Sequence, residues 1–293
     1  MPLLGLSAVT QMNRFSQILF LLLALCCTFM LAGGGAHAAV LAPASVSVGT
    51  DHSCTLMTDG PVFCWGDSAF GQVGDGTTDR HLSPVQISGL SGVSAVTAGV
   101  QTSCALLSDQ TITCWGRNDR AQTGNQRQDQ ALSPVATLDI TAATAVSSGL
   151  DHTCALLSDA TVKCWGSNSY AQLGNASNGS FRPVSVSISD QDGVRTLTGV
   201  TAIASGFYHS CALVRGGTVW CWGWNPFGQV GNGTTNNAQY AVAVSGLSGV
   251  LAISAGDFHN GAVLTVGTVK CWIMIQPLNM CIISKSIFKR DCR

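Results

Sequence analysis

The chain has 293 residues, of which 10% are charged and 46% hydrophobic, and its formal net charge is −1. So few basic residues exclude a protein that binds nucleic acid by neutralising phosphates, because that task needs a dense basic surface. The apolar content and the near-zero net charge also exclude a disordered chain. With 33 Gly, 13 Cys and 7 Trp, the composition instead indicates a folded chain rich in turns.

The N-terminus has the features of an export signal. Arg14 is the only charge before the apolar run Ile18–Ala32, whose 15 residues are too few for a helix that crosses a bilayer. The small-x-small sequence at 36–38 predicts cleavage after it, so residues 1–38 are interpreted as a signal peptide, with an uncleaved membrane anchor as the alternative. We therefore expect a secreted, periplasmic or cell-surface protein without membrane contact after cleavage, in an environment where cysteines form disulfides.

After residue 45 an internal repeat organises the chain. Each copy has a leading cysteine, a Cys-Trp-Gly sequence ten residues later, and then a Gly-Gln or Ala-Gln turn. The leading cysteines are Cys54, Cys104, Cys154 and Cys211, and the Cys-Trp-Gly sequences begin at Cys64, Cys114, Cys164 and Cys221. We assign the repeats to about 46–95, 96–145, 146–202 and 203–249, with a partial fifth copy at 250–272.

Within each copy the apolar pattern is typical of short strands. In the fourth copy, the predicted strands are Thr201–Ala204, Cys211–Val214, Thr218–Trp222 and Ala241–Val244, and Arg215–Gly217 is a turn. Four short strands in about 50 residues are typical of a propeller blade. The sequence therefore predicts an all-β fold, a β-propeller of four-stranded antiparallel blades.

The two cysteines of each copy are predicted to face each other across a hairpin. In a hairpin centred on Asp159, Cys154 lies opposite Cys164 and Leu156 lies opposite Val162. Opposed residues of an antiparallel pair have Cα atoms ~4.5–5.5 Å apart, within reach of a disulfide. A zinc site is disfavoured, because zinc knuckles place their cysteines close together in sequence. The predicted disulfides are Cys54–Cys64, Cys104–Cys114, Cys154–Cys164 and Cys211–Cys221.

These motifs resemble the regulator of chromosome condensation repeat family, in its exported, cysteine-containing bacterial form. The resemblance is clearest in 152–174, where His-Thr-Cys-Ala-Leu, Val-Lys-Cys-Trp-Gly and Ala-Gln-Leu-Gly keep a fixed phase, and it extends over about 46–272. It implies a seven-bladed propeller, whereas this sequence has four full copies and a partial fifth. In the fifth copy Gly261 replaces the leading cysteine, and 273–293 is a divergent tail. We therefore expect a truncated array and an incomplete propeller, with a genuine short variant that carries a C-terminal extension as the alternative.

Four histidines share one position of the repeat, namely His52, His152, His209 and His259. A ring of imidazoles around the propeller axis would bind a metal ion, but Thr102 interrupts that ring in the second copy. The resemblance implies instead that each imidazole bonds the backbone of its own blade. Since no nucleophile elbow, P-loop or dinucleotide motif is present either, we predict no metal site, no cofactor and no catalytic residue.

Trp220 and Trp224 lie outside the Cys-Trp register of the other tryptophans, and Phe227 follows them closely. Aromatic groups of this kind are enriched in binding hot spots, so these three residues are a candidate binding patch, with packing between blades as the alternative. The loops that follow the Cys-Trp-Gly sequences also vary while the strands repeat, as a binding surface requires.

Together these features predict an exported, non-enzymatic scaffold that binds an unidentified protein or cell-surface partner and no nucleic acid. The founding member of the family suggests a guanine-nucleotide exchange role as one alternative. A related secreted propeller that inhibits β-lactamase suggests an enzyme inhibitor as another. A glycosidase is disfavoured because all 15 acidic residues are aspartate.

Overall fold

The computed structural model describes residues 42–176, 181–190, 192–272 and 281–283. Every helix or strand assigned in these ranges is a β-strand, which confirms the predicted all-β fold. The predicted signal peptide, 1–38, lies outside the described residues, as does the tail except for 281–283. The described part of the chain contains no helix that is long and apolar enough to cross a bilayer.

In these ranges twenty strands form five antiparallel sheets, and each sheet pairs four consecutive strands in chain order. The first sheet comprises β1 (Pro43–Val48), β2 (His52–Met57), β3 (Val62–Gly66) and β4 (His81–Gln86). The second comprises β5 (Val93–Ala98), β6 (Thr102–Leu107), β7 (Ile112–Gly116) and β8 (Ala131–Ala136). The third comprises β9 (Ala143–Ser148), β10 (His152–Leu157), β11 (Val162–Ser167) and β12 (Phe181–Ser187). The fourth comprises β13 (Val200–Ser205), β14 (His209–Val214), β15 (Thr218–Gly223) and β16 (Ala238–Ala243), and the fifth comprises β17 (Val250–Ala255), β18 (Asn260–Leu264), β19 (Val269–Trp272) and β20 (Cys281–Ile283).

The sheets and the sequence repeats are offset. Strands β5, β9 and β13 each cross a repeat boundary, placed from the sequence after 95, 145 and 202. The offset arises because the cysteine motifs that mark a repeat lie in the second and third strands of a sheet. Strand β20 lies in the region assigned to the tail and pairs with β19, so the fifth copy forms a sheet of four strands.

Aspartates stabilise the turns between the second and third strands. Asp159 Oδ1 accepts hydrogen bonds from the backbone N of Thr161 at 3.0 Å and from its Oγ1 at 2.7 Å. Asp109 makes the same two bonds with Thr111. The hydrogen bonds from the threonine side chain and backbone lower the pKa of both aspartates. These carboxylates are therefore part of the hairpin, as expected for aspartate in turns.

Hairpin register brings the cysteines of each copy together. Cys154 pairs with Cys164 and Leu156 pairs with Val162, as predicted. The same register recurs in the first, second and fourth sheets. In these four hairpins the two sulfurs lie at bonding distance and the Cα atoms are 4.0–4.1 Å apart. In the fifth sheet Gly261 stands opposite Cys271, so that hairpin lacks this bridge.

Neighbouring sheets are joined by a repeated set of buried contacts. Trp222 of the fourth sheet lies in one core cluster with Leu156 and the cysteine pair of the third sheet. Its indole Nε1 donates a hydrogen bond to Gln172 O at 2.9 Å. Equivalent bonds of 2.9–3.0 Å join Trp115 to Gln72, Trp165 to Gln122 and Trp272 to Gln229. These four tryptophans are therefore core residues that join one blade to the next, whereas Trp65 of the first sheet is half-buried.

The five sheets surround a cavity without closing a ring. The first strands neighbour one another in the order β1, β5, β9, β13 and β17, and they line a cavity of about 570 Å³. At one open end Val48 is 71% exposed, whereas Ala98, at the same position of the second sheet, is 8% exposed. At the other end Val263 is 41% exposed, whereas Leu213 is 5% exposed. The described sheets are thus an incomplete propeller, as predicted.

Candidate functional site

The buried histidines tie adjacent sheets together through side-chain hydrogen bonds. The expectation that each imidazole bonds the backbone of its own blade is therefore wrong. Each ring starts the second strand of its sheet and reaches the second strand of the next sheet. His259, on the last sheet, has no next sheet to meet in the described residues and is exposed. The three bonds are His52 Nε2–Ser103 Oγ at 2.8 Å, His152 Nε2–Ser210 Oγ at 2.7 Å and His209 Nε2–Asn260 Oδ1 at 3.0 Å.

Burial also keeps these imidazoles uncharged at neutral pH. Loss of solvation lowers the pKa of His152 to about 3 and the pKa values of His52 and His209 to about 4. Across the described ranges, no group of three or more His, Cys or Asp side chains is placed to hold a metal ion. The shared histidine position thus serves the contact between sheets.

Aromatic side chains gather in the loops at one end of the strands of the third, fourth and fifth sheets, and we call this end of the array the face. Trp224 and Phe227, both predicted for a binding patch, have ring centroids 5.2 Å apart. Trp220 does not join them. It lies opposite Ala212 within β15 and packs against the core cluster, whereas Trp224 lies beyond the end of that strand at Gly223. For Trp220 the alternative of packing between blades is the better description.

Four further rings complete an aromatic cluster, which we define as Tyr170, Phe207, Tyr208, Trp224, Phe227 and Phe258. Its rings are in direct contact. The ring centroids are 4.9 Å apart for Tyr170–Tyr208, 5.1 Å for Phe207–Phe258 and 5.6 Å for Trp224–Phe258. Tyr170 and Phe227 are 39% and 44% exposed, so the cluster presents apolar surface to solvent.

Buried glutamines hold the loops that carry this cluster. The backbone N of Phe227 donates to Gln229 Oε1 at 3.0 Å, and the backbone N of Tyr170 donates to Gln172 Oε1 at 2.8 Å. Both glutamine residues are fully buried, and their carbonyls accept the indole bonds between sheets. The glutamine of each turn therefore has two roles. Its backbone carbonyl accepts the indole bond that joins two sheets, and its side chain accepts a hydrogen bond from the backbone of a residue whose ring is exposed.

The aromatic cluster occupies repeat positions at which the copies differ. These positions are the two residues before the histidine position, the residue after Cys-Trp-Gly, and the residue before the Gly-Gln or Ala-Gln turn. They hold Thr50, Asp51, Asp67 and Phe70 in the first copy; Val100, Gln101, Arg117 and Arg120 in the second; Leu150, Asp151, Ser167 and Tyr170 in the third; Phe207, Tyr208, Trp224 and Phe227 in the fourth; and Asp257 and Phe258 in the fifth. The Cys, Trp and Gln positions beside them stay constant over the four full copies. A search for motifs misses four of the six rings, whereas a comparison of copies at these positions finds them.

Toward the first and second sheets the same face carries charged side chains. Arg117 Nε lies 2.7 Å from Asp119 Oδ1, and its Nη1 donates to Gln101 Oε1 at 3.0 Å. The guanidinium also lies 5.4 Å from the centre of the Phe70 ring and 3.4 Å from Asp151 Oδ1. Burial raises the pKa of Asp151. The face thus passes from charged to aromatic along the array.

Two family models match the repeated part of the chain. One model, described as "Regulator of chromosome condensation (RCC1) repeat", matches residues 59–106, 160–213 and 216–263. A second model with the same description matches 44–72, 93–122, 143–172 and 200–229.

Solved structures share this fold at low sequence identity. Yeast RCC1 (Prp20), in a crystal structure with Kap60, has a TM-score of 0.69 and 18% identity over 79% of this chain and 56% of that chain. Prp20p from Saccharomyces cerevisiae in a second structure has a TM-score of 0.69 and 18% identity over 81% and 61%. Human WBSCR16 has a TM-score of 0.68 and 22% identity over 78% and 61%. The chain thus spans less than two thirds of the length of these proteins. Since one family model alone matches just over half of the 293 residues, the chain belongs to the regulator of chromosome condensation (RCC1) repeat family.

Proposed function

We propose that this protein is an exported, non-enzymatic propeller scaffold that binds a protein partner through the face carrying the aromatic cluster. The observation that carries the proposal is the placement of six rings at repeat positions that vary, on a framework that stays constant. Tyr, Trp and other large side chains in such clusters supply most of the binding energy at protein interfaces. An apolar patch that stays exposed on a folded protein also marks an interaction site.

Protein partners are described for other propellers of this fold. Yeast RCC1 is described in complex with Kap60, and Prp20p is described as binding Gsp1p and histones. An exchange role toward a GTPase would require a cytosolic or nuclear location. The four cysteine pairs at bonding distance instead support an oxidising compartment. Protease added to producing cells whose outer membrane has been permeabilised and whose cytoplasmic membrane is intact should therefore degrade the protein, and complete protection would contradict export.

Proximity crosslinking of the full chain on such cells tests the binding face. The double substitution Trp224→Ala/Phe227→Ala removes two neighbouring rings of the cluster and should abolish the crosslinked partner. Leu82→Ala is the matched control, because Leu82 is an apolar side chain that is 89% exposed on β4, outside the face. Equal crosslinking by both variants would overturn the proposal. If the partner is an enzyme, loss of its activity in the complex identifies an inhibitor.

A further inference from the structure

Two carboxylates flank the aromatic cluster. Leu150 N donates a hydrogen bond to Phe207 O at 3.2 Å, which brings Asp151 next to the cluster, and Asp257 directly precedes Phe258. The backbone O of Asp257 also accepts a hydrogen bond from Phe207 N at 3.1 Å. Burial raises the pKa of both aspartates, although Asp151 is half-buried and Asp257 is exposed. A cation placed beside Asp151 would gain most, because water screens that field only in part.

We propose that the partner segment seated on the aromatic cluster is positively charged and carries an arginine or lysine next to an apolar residue. The inference rests on the proposed function and adds the chemistry of the partner. Complementary charge is what selects partners at protein interfaces. The repeat positions that vary between copies carry more acidic than basic residues when Asp119, which lies between Arg117 and Arg120, is counted with them. The acids are Asp51, Asp67, Asp119, Asp151 and Asp257, and the bases are Arg117 and Arg120.

The two arginines bind mainly Asp119 and compensate the carboxylates next to the cluster only in part. Arg117 directs both Nε and Nη2 to Asp119, at 2.7 Å and 2.8 Å. Arg120 Nε also faces Asp119, at 3.9 Å. Asp151 receives only the longer contact of 3.4 Å from Arg117, and Asp257 forms no ion pair with the described residues. The negative charge at the aromatic end is thus left for a partner.

The same face already contains the contact expected of a partner cation. The guanidinium of Arg117 stacks 5.4 Å from the centre of the Phe70 ring while it bonds Asp119. An arginine can stack on a ring and pair with a carboxylate at once. The rings of the cluster touch at 4.9–6.2 Å between centroids, so they leave no space for a cation between them. The partner cation therefore lies over their outer faces, beside Asp151 or Asp257.

Selection from a display library of random linear peptides on the intact, disulfide-bonded protein tests the inference. Peptides that bind the wild-type protein and not Trp224→Ala should be enriched in arginine or lysine next to an apolar residue. Asp151→Asn/Asp257→Asn should weaken these peptides about tenfold or more and reduce the salt dependence of binding. Asp79→Asn is the matched control, because it removes an exposed carboxylate from a loop of the first sheet, whereas the aromatic cluster belongs to the third, fourth and fifth sheets, and it should leave the affinity unchanged.

The outcomes separate this inference from the proposed function. Peptides that need Trp224 but show no excess of basic residues would overturn the cationic partner and leave the binding face standing. The same conclusion follows if Asp151→Asn/Asp257→Asn and Asp79→Asn bind such peptides equally well. Peptides that bind wild type and Trp224→Ala alike would overturn the binding face itself.

Discussion

Acid should destabilise this fold through the histidines buried between its sheets. Burial lowers the pKa of His152 from 6.5 to about 3 and the pKa values of His52 and His209 from 6.5 to about 4. As the pH falls below 6.5, these rings take up protons in the unfolded chain, whereas in the folded chain they do so only near pH 4 or below. The unfolded state binds more protons in this window, so the free energy of unfolding falls as the pH drops from 6.5 toward 4.

The expected magnitude follows from the same shifts. Near pH 5 the unfolded chain binds about one more proton at each histidine than the folded chain does. Each histidine therefore changes the free energy of unfolding by ~1.4 kcal/mol per pH unit. The three rings together therefore predict a slope of about 3–4 kcal/mol per pH unit. The charge of Asp67 favours the protonated form of His52, and the bond to Asn260 favours that of His209, but burial exceeds both. At His152 the neighbouring His209 lowers the pKa further, in the same direction as burial.

Denaturant unfolding between about pH 7 and pH 5, followed by tryptophan fluorescence with the disulfides intact, measures this slope. His152→Thr copies the residue found at this position of the second sheet, so it should remove about one third of the slope while lowering stability at neutral pH. Thr102→Ser is the matched control and should leave the slope unchanged. A free energy of unfolding that stays flat below pH 6.5, or a slope unaltered in His152→Thr, would refute the reasoning.

Three further predictions concern the hairpins and the joints between sheets. Peptide mapping of the unreduced protein should find one bridge within each of the four hairpins, whereas free thiols or bridges between sheets would contradict the register. Cys154→Ala/Cys164→Ala should lower the free energy of unfolding by about 2–3 kcal/mol. Trp222→Phe leaves the backbone carbonyl of Gln172 without its donor and should lower the free energy of unfolding by about 1–3 kcal/mol, measured with denaturant. Unchanged stability would contradict the role of this hydrogen bond in joining the two sheets. Gly166→Ala should cost ~2 kcal/mol or more, because φ is +101° and the new Cβ would lie 2.5 Å from Asp151 O. Gly60→Ala separates the two causes, since φ is +108° there but no atom lies within 4 Å of the Cβ position, and an equal loss in both variants would exclude the clash.

Features within one hairpin could be predicted from the sequence alone. Strand alternation and the ten-residue spacing determine which residues are opposite, so Cys154–Cys164 followed from a turn at Asp159. Contacts between sheets could not be derived in this way. His152 and Ser210 are 58 residues apart, and spacing does not reveal which faces of two sheets meet. The partner expected for the histidines was wrong for this reason.

The candidate site was predicted only in part, for a related reason. Nearness in sequence groups Trp220 with Trp224, although Trp220 lies within β15 and packs against the core cluster and Trp224 lies beyond the end of that strand. Tyr170 was missed because it is distant in sequence. It occupies the same repeat position as Phe227 in the adjacent copy. Since adjacent copies form adjacent sheets, residues at one repeat position become neighbours in space.

The repeat separates the residues that hold sheets together from those that face a partner. His152, Gln172 and Trp222 are at most 1% exposed, whereas Tyr170 and Phe227 of the aromatic cluster are about two fifths exposed. Because the two sets hold different positions in the same copy, their effects should separate experimentally. Trp224→Ala should lose the partner yet unfold near the wild-type denaturant concentration, and Trp222→Phe should unfold earlier yet bind normally wherever it is folded. If both variants lost stability and binding in proportion, the aromatic cluster would be part of the core and not a recognition surface.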